Sequence, residues 1–184
     1  GCYFVVTNPT PGTGLATIAA QNVLADTAPF LWIVNTNAVS GRRIYLDYVR
    51  FITTVAGTNG TQIRWAVKTD SGALSRYTSG STSTGTPQNV NIDDTTRSGA
   101  VVYGGPLVCA AASSAVRLLG SGLFRNVITV VSDTYVINFG GHENGVDSLP
   151  VAQLASSNVN ASTGPCVIGP GQGAAIHLWA PSQS

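Results

Sequence analysis

Apolar and polar residues alternate with a period of two along most of this chain, and Gly, Pro, Asn, Asp and Ser interrupt the alternation at short intervals. That pattern predicts strands joined by turns. Phe30 to Asn35 is a short apolar run behind Pro29. Arg42 to Thr54 is the longest strand signal, with Ile44, Leu46 and Tyr48 on one face and Tyr45, Asp47 and Val49 on the other. It runs into Ala56-Gly57-Thr58-Asn59-Gly60, and an Asn-Gly pair between alternating segments predicts a tight hairpin. The expected return strand, Thr61 to Lys68, points Ile63, Trp65 and Val67 inward and Gln62, Arg64, Ala66 and Lys68 outward.

Further strands are expected at Ala100 to Tyr103, Leu107 to Leu119, Leu123 to Val131, Thr134 to Phe139, Leu149 to Leu154, Cys166 to Ile168 and Ala174 to Trp179. Ser79 to Asn89 reads as a polar loop, and Leu15 to Leu24 is the best helix candidate. Eight to ten short strands with almost no helix make an all-β chain, an antiparallel β-sandwich or a barrel. The length of 184 residues fits one domain. The expected division is an N-terminal arm or extended segment over 1–29 and the sandwich domain over 30–184.

Composition adds one unusual feature. Charged residues are 9% of the chain, against roughly a quarter in an ordinary domain, while hydrophobic residues are 43%. Ser, Thr, Asn and Gly stand where charge would be. Sheet edges and surfaces are normally kept apart by charge, so a folded chain without it is suited to being covered by partners. The net charge is +1 and the densest basic spot is Arg42-Arg43, which argues against a nucleic-acid partner. No apolar run has the length of a membrane span, and no membrane partner is expected. Gly1-Cys2 fits lipidation poorly, because a mature lipoprotein begins at the Cys itself.

The inventory for chemistry is thin. Cys2, Cys109 and Cys166 sit in apolar surroundings without ligand spacing and are expected as buried thiols. His177 has the opposite parity to Ile176 and Leu178 and is expected at a surface or interface. His142-Glu143 lies in a glycine-rich loop, but the chain has only two His, too few for the metal cluster of a cupin. Asp93-Asp94 and Asp147 read as solvated loop acids rather than a calcium site. Gly169 to Gly173 lacks the following helix that a phosphate loop needs. No catalytic residue, metal or cofactor is expected, and an enzyme is the least favoured class.

Two segments carry a resemblance. Asp133-Thr134-Tyr135-Val136-Ile137-Asn138-Phe139-Gly140-Gly141 and Ile168-Gly169-Pro170-Gly171-Gln172-Gly173-Ala174-Ala175-Ile176-His177-Leu178-Trp179 resemble the closing strands of jelly-roll virion proteins, above all the small capsid decoration (cement) proteins of tailed bacteriophages. The resemblance covers about a quarter of the chain. It implies an eight-stranded jelly roll, a homotrimer, a place on the capsid surface of the virion and the major capsid protein as partner. Tyr3, Phe4 and Leu15 are the expected interface residues, and Trp65 and Phe51 the expected core. The alternative is a carbohydrate-binding or receptor-binding β-sandwich module, for which Tyr77 and Tyr103 are the best-placed aromatics.

Overall fold

The computed structural model describes residues 2–10, 12–15, 22–37, 41–55, 62–80, 83–112, 115–125, 131–140 and 158–181. Among the described residues there are fifteen strand segments and no helix. They are β1 (Phe4–Val5), β2 (Leu31–Asn35), β3 (Ile44–Leu46), β4 (Tyr48–Ile52), β5 (Ile63–Asp70), β6 (Tyr77–Ser79), β7 (Ser83–Gly85), β8 (Gln88–Asn89), β9 (Ala100–Gly104), β10 (Val108–Cys109), β11 (Val116–Arg125), β12 (Thr134–Phe139), β13 (Asn158–Thr163), β14 (Cys166–Ile168) and β15 (Gly173–Trp179). The all-β class read from the alternation is what forms.

A six-stranded antiparallel sheet in the order β11-β5-β15-β2-β9-β7 is the spine of the molecule. Rows of residues cross it without a break: Leu118, Lys68, Ala175, Trp32, Tyr103 and Thr84 stand side by side on the six strands. A second layer has β12 at its centre, antiparallel to β4 and parallel to β13. Where β12 ends, Phe139 donates to the Asp47 carbonyl and Gly140 to the Thr163 carbonyl. Beyond that point the two flanking chains meet each other directly, as the antiparallel pair β3–β14.

The main core lies between these layers. Ile33, Val67, Ala174, Ile176 and Leu178 from the first sheet meet Tyr135, Ile137, Phe139, Cys166 and Ile168 from the second. Phe124 is the hub of an aromatic chain: it stacks on Trp65 at 5.8 Å, leans on Tyr135 at 5.1 Å, and reaches Phe51, which meets Phe30 edge-on at 5.8 Å. Trp65 and Phe51 thus sit in or against the core, as expected. The indole of Trp65 needs room on β11, and Gly122 provides it. A Cβ there would lie 2.9 Å from the indole nitrogen.

Several expectations change. The strand expected over Arg42 to Thr54 breaks at Asp47 into β3 and β4. In place of strands at Leu107 to Leu119 and Leu123 to Val131 the chain forms the short β10 and then β11, which runs on through Gly120 to Gly122. β4 and β5 do not form a hairpin: β4 pairs with β12, whereas β5 pairs with β11 and β15. The Asn59-Gly60 turn itself lies outside the described residues. Both strands carry an apolar stripe, and the stripes face each other across the core instead of lying side by side in one sheet. The polar stretch 79–89 contains β7 and β8 and is not wholly loop. The helix expected over Leu15 to Leu24 falls mainly outside the described residues, and its described ends, Leu15 and 22–24, are not helical. The strand expected at Leu149 to Leu154 also lies outside them.

Candidate functional site: a charge cluster on the second sheet face

The opposite face of the six-stranded sheet carries Trp32 and Val34 of β2, Ala175 and His177 of β15, and Ala66, Lys68 and Asp70 of β5. A cover made of 22–30, the 71–77 turn and β10 lies over it. Trp32, Val34, Ala73, Leu107, Cys109 and Ala175 form a second, smaller apolar cluster there, with Tyr77, Val101 and Tyr103 at its margin. Gly173 marks how closely the cover is applied, since a Cβ on it would lie 2.8 Å from that of Ala73 and 3.0 Å from the Trp32 ring.

Into this face the chain places four of its few charged side chains. Asp70 and Arg76 form a buried ion pair at 2.5 Å, with side chains 2% and 5% exposed. The other Asp70 oxygen accepts from Gly72 N at 2.8 Å, which fixes the Asp70-Ser71-Gly72 turn. Arg76 then uses its remaining donors on the cover: Nε to the Ala110 carbonyl at 3.1 Å and Nη2 to the Asp26 carbonyl at 3.0 Å. Its guanidinium carbon stands 5.3 Å from the centre of the Trp32 ring, within cation–π range. Lys68, the only lysine of the chain, is paired with the Asp26 carboxylate. That hydrogen bond is the main cause holding the Asp26 carboxyl below the usual carboxylate range, against an opposing effect of burial.

His177 lies at the centre of the group and is 2% exposed. Its Nδ1 is buried with no partner, and the backbone of Ala25 lies close to the ring. Burial, reinforced by Lys68 and Arg76, lowers its pKa to about 4, with Asp26 acting in the opposite sense. The surface position expected for His177 is therefore wrong. Its parity was right, but the face it occupies is covered, so β15 is buried on both sides. At neutral pH the cluster holds two carboxylates, two cations and a neutral imidazole, and is electrically balanced. Its chemical effect is to tie three separate stretches of chain, 22–30, 71–77 and 108–110, to the sheet.

The thiols divide. Cys109 and Cys166 are buried, and burial raises both, Cys166 to about 12, so neither is an activated nucleophile. Cys2 is exposed, contrary to expectation, because β1 joins a peripheral ribbon with β8; its Sγ donates to Asp94 Oδ2 at 3.4 Å. Asp94 is held down to about 2, chiefly by hydrogen bonds from Thr96. Asp93 and Asp94 gather no further ligands, and no metal-binding group of three His, Cys, Asp or Glu exists among the described residues. His142, Glu143 and Asp147 lie outside them.

Of the expected interface residues, Tyr3 is 75% exposed and Phe4 is half-buried in β1. The ribbon they belong to also carries Val5, Val90 and the almost fully exposed Ile92, and Val90 N donates to the Tyr3 carbonyl at 2.9 Å. Leu15 is half-buried elsewhere, next to Gly14, which packs on Thr54 beyond β4. Tyr77 and Tyr103 stack on each other, with ring centres 4.0 Å apart and planes 11° from parallel. An open pocket of about 290 Å³ is lined by Arg43, Val167, Gly169, Pro170 and Gln172. Gly169 N already donates to the Gln172 side chain there, so that amide is not offered to an anion. Compared with family models, curated proteins and solved structures, the chain matches none of them.

Proposed function

We propose that this chain is a structural virion component, a capsid decoration protein of jelly-roll type that self-associates, as a trimer, and cements the shell beneath it. One observation carries the reading: large apolar side chains stand exposed on a chain of which only 9% of the residues are charged. On the β1–β8 ribbon Tyr3, Val90 and Ile92 are 75%, 65% and 94% exposed. Exposed apolar side chains grouped on one ribbon are what contact with another protein covers. An isolated two-stranded ribbon is also marginal in water, so a neighbour lying on it stabilises both.

The antiparallel order β11-β5-β15-β2 suits one sheet of a jelly roll, while the two added strands β9 and β7 and the parallel pair β12–β13 are departures from an all-antiparallel Greek key. The carbohydrate-binding reading has less to support it, because Tyr77 and Tyr103 occupy each other's faces. Sedimentation of the wild type beside a Tyr3→Lys, Ile92→Lys double variant tests the proposal. A wild-type trimer and a variant monomer with unchanged β-sheet circular dichroism are expected. A wild type that stays monomeric at high concentration overturns it.

A further inference from the structure

We propose that residues 22–28 form an acid-operated clasp over the second sheet face, held shut by the charge cluster and opened by protonation of His177. Three links hold the segment. The Asp26 carboxylate pairs with Lys68, the Asp26 carbonyl accepts from Arg76, and the Thr27 carbonyl accepts from Cys109 N at 2.8 Å, while the Ala25 backbone lies close to the His177 ring. Two of the three involve a side chain of the cluster.

A proton on His177 creates a cation whose Nδ1–H has no acceptor. The charged and titratable groups around it are Asp26 on the clasp, Lys68 and Asp70 on β5, Arg76 on the following turn and Cys109 on β10. Both carboxylates are already engaged, Asp26 by Lys68 and Asp70 by Arg76. The added charge leaves the cluster with net positive charge in a place shielded from water, where an uncompensated charge is costly. Lifting the clasp is the smallest movement that lets water reach the imidazolium. Closed and open states then differ in proton affinity, so acid shifts the population towards the open one. With His177 at about 4 when closed and an ordinary 6.5 when open, the open population at pH 5 rises ~30-fold over that at pH 7.5.

Amide hydrogen exchange on the full chain, corrected for the intrinsic effect of pH, tests this. The Cys109 amide reports the clasp, because its acceptor is Thr27; the Phe30 amide, bonded to the Ile176 carbonyl at 2.8 Å, reports the sheet. Between pH 7.5 and 5, Cys109 protection should fall by tens of fold while that of Phe30 changes little. In His177→Gln, which cannot titrate, the Cys109 fall should shrink to a few fold. Equal loss at both amides, no loss at Cys109, or the same loss in the variant each overturns the clasp. Should that variant not fold, the wild-type His177 ring signals decide by NMR. A ring that titrates near 6.5 while the Cys109 amide stays protected contradicts the proposal, and titration below about 5 together with loss of that protection supports it.

Discussion

The two faces of the central sheet are built from the same strands and solve burial in opposite ways. One face is mainly apolar: Ile33, Val67, Ala174, Ile176 and Leu178 meet the aromatic chain centred on Phe124. The buried polar groups at its margins, Asn35 and Asp133, are hydrogen-bonded to the opposing layer and to Tyr135 respectively. The other buries Asp70, Arg76 and His177 and accepts their desolvation in exchange for fixed directions. The contrast follows from what each face covers. A sheet packed on another sheet needs only complementary shape, because both partners have satisfied their backbones in strands. The cover on the second face includes irregular stretches whose backbone carbonyls need donors, and Arg76 supplies one to Asp26 and another to Ala110, just beyond β10. The dry face should therefore be costly to hollow out but indifferent to pH. The charged face should be costly to unbalance and sensitive to acid.

The largest effect expected is at the buried ion pair. Arg76→Ala leaves Asp70 without its cation and two carbonyls without donors, and should destabilise by about 3–5 kcal/mol in urea unfolding. A loss below 1 kcal/mol would mean that the charged face is not a buried one. On the dry face Ile176→Ala should cost about 2–5 kcal/mol, with the same value at pH 7.5 and pH 5, since burial keeps the Cys166 thiol of that cluster protonated at both. A difference between the two pH values would break the proposed separation of the faces. The smallest effect belongs to the rim of the charged face, where Asp26 is more than half exposed. Lys68→Met should change global stability by less than about 1 kcal/mol.

How much of this was legible beforehand depends on which property a position encodes. The sequence pattern placed β2, β9, β12, β14 and β15 closely, because each is a short apolar or alternating run with Gly, Pro or Asp close to at least one end. It could not say which strand lies next to which. Asn59-Gly60 favours a local reversal, yet the stripes of β4 and β5 are satisfied equally well across a core as along a hairpin, and tertiary packing chose the first. Alternation also could not show whether the second face of β15 is covered. Ala175 and His177 read as the outer positions of a half-exposed strand, and they are buried only because distant segments fold over them. The charge cluster was hidden for the same reason: Asp26, Lys68, Asp70 and Arg76 are scattered over fifty residues and form no motif. The one usable signal was scarcity, since a chain with a single lysine is selective about where it puts it.

The account's central claim, that one face is dry and the other a balanced charge cluster poised on a neutral imidazole, is tested most directly by the pH profile of unfolding free energy. Because the folded state binds the His177 proton only near pH 4 and the unfolded state binds it near 6.5, stability is fully present above about pH 6.5 and falls as the pH drops towards 4. The expected loss across that window is roughly 3 kcal/mol. His177→Gln should remove most of it, leaving a decline only as the carboxylates begin to protonate below about pH 4. If the wild-type profile is flat between pH 6.5 and 4, or if the variant falls as steeply as the wild type, His177 is not the buried neutral group at the centre of the second face, and the contrast between the faces fails.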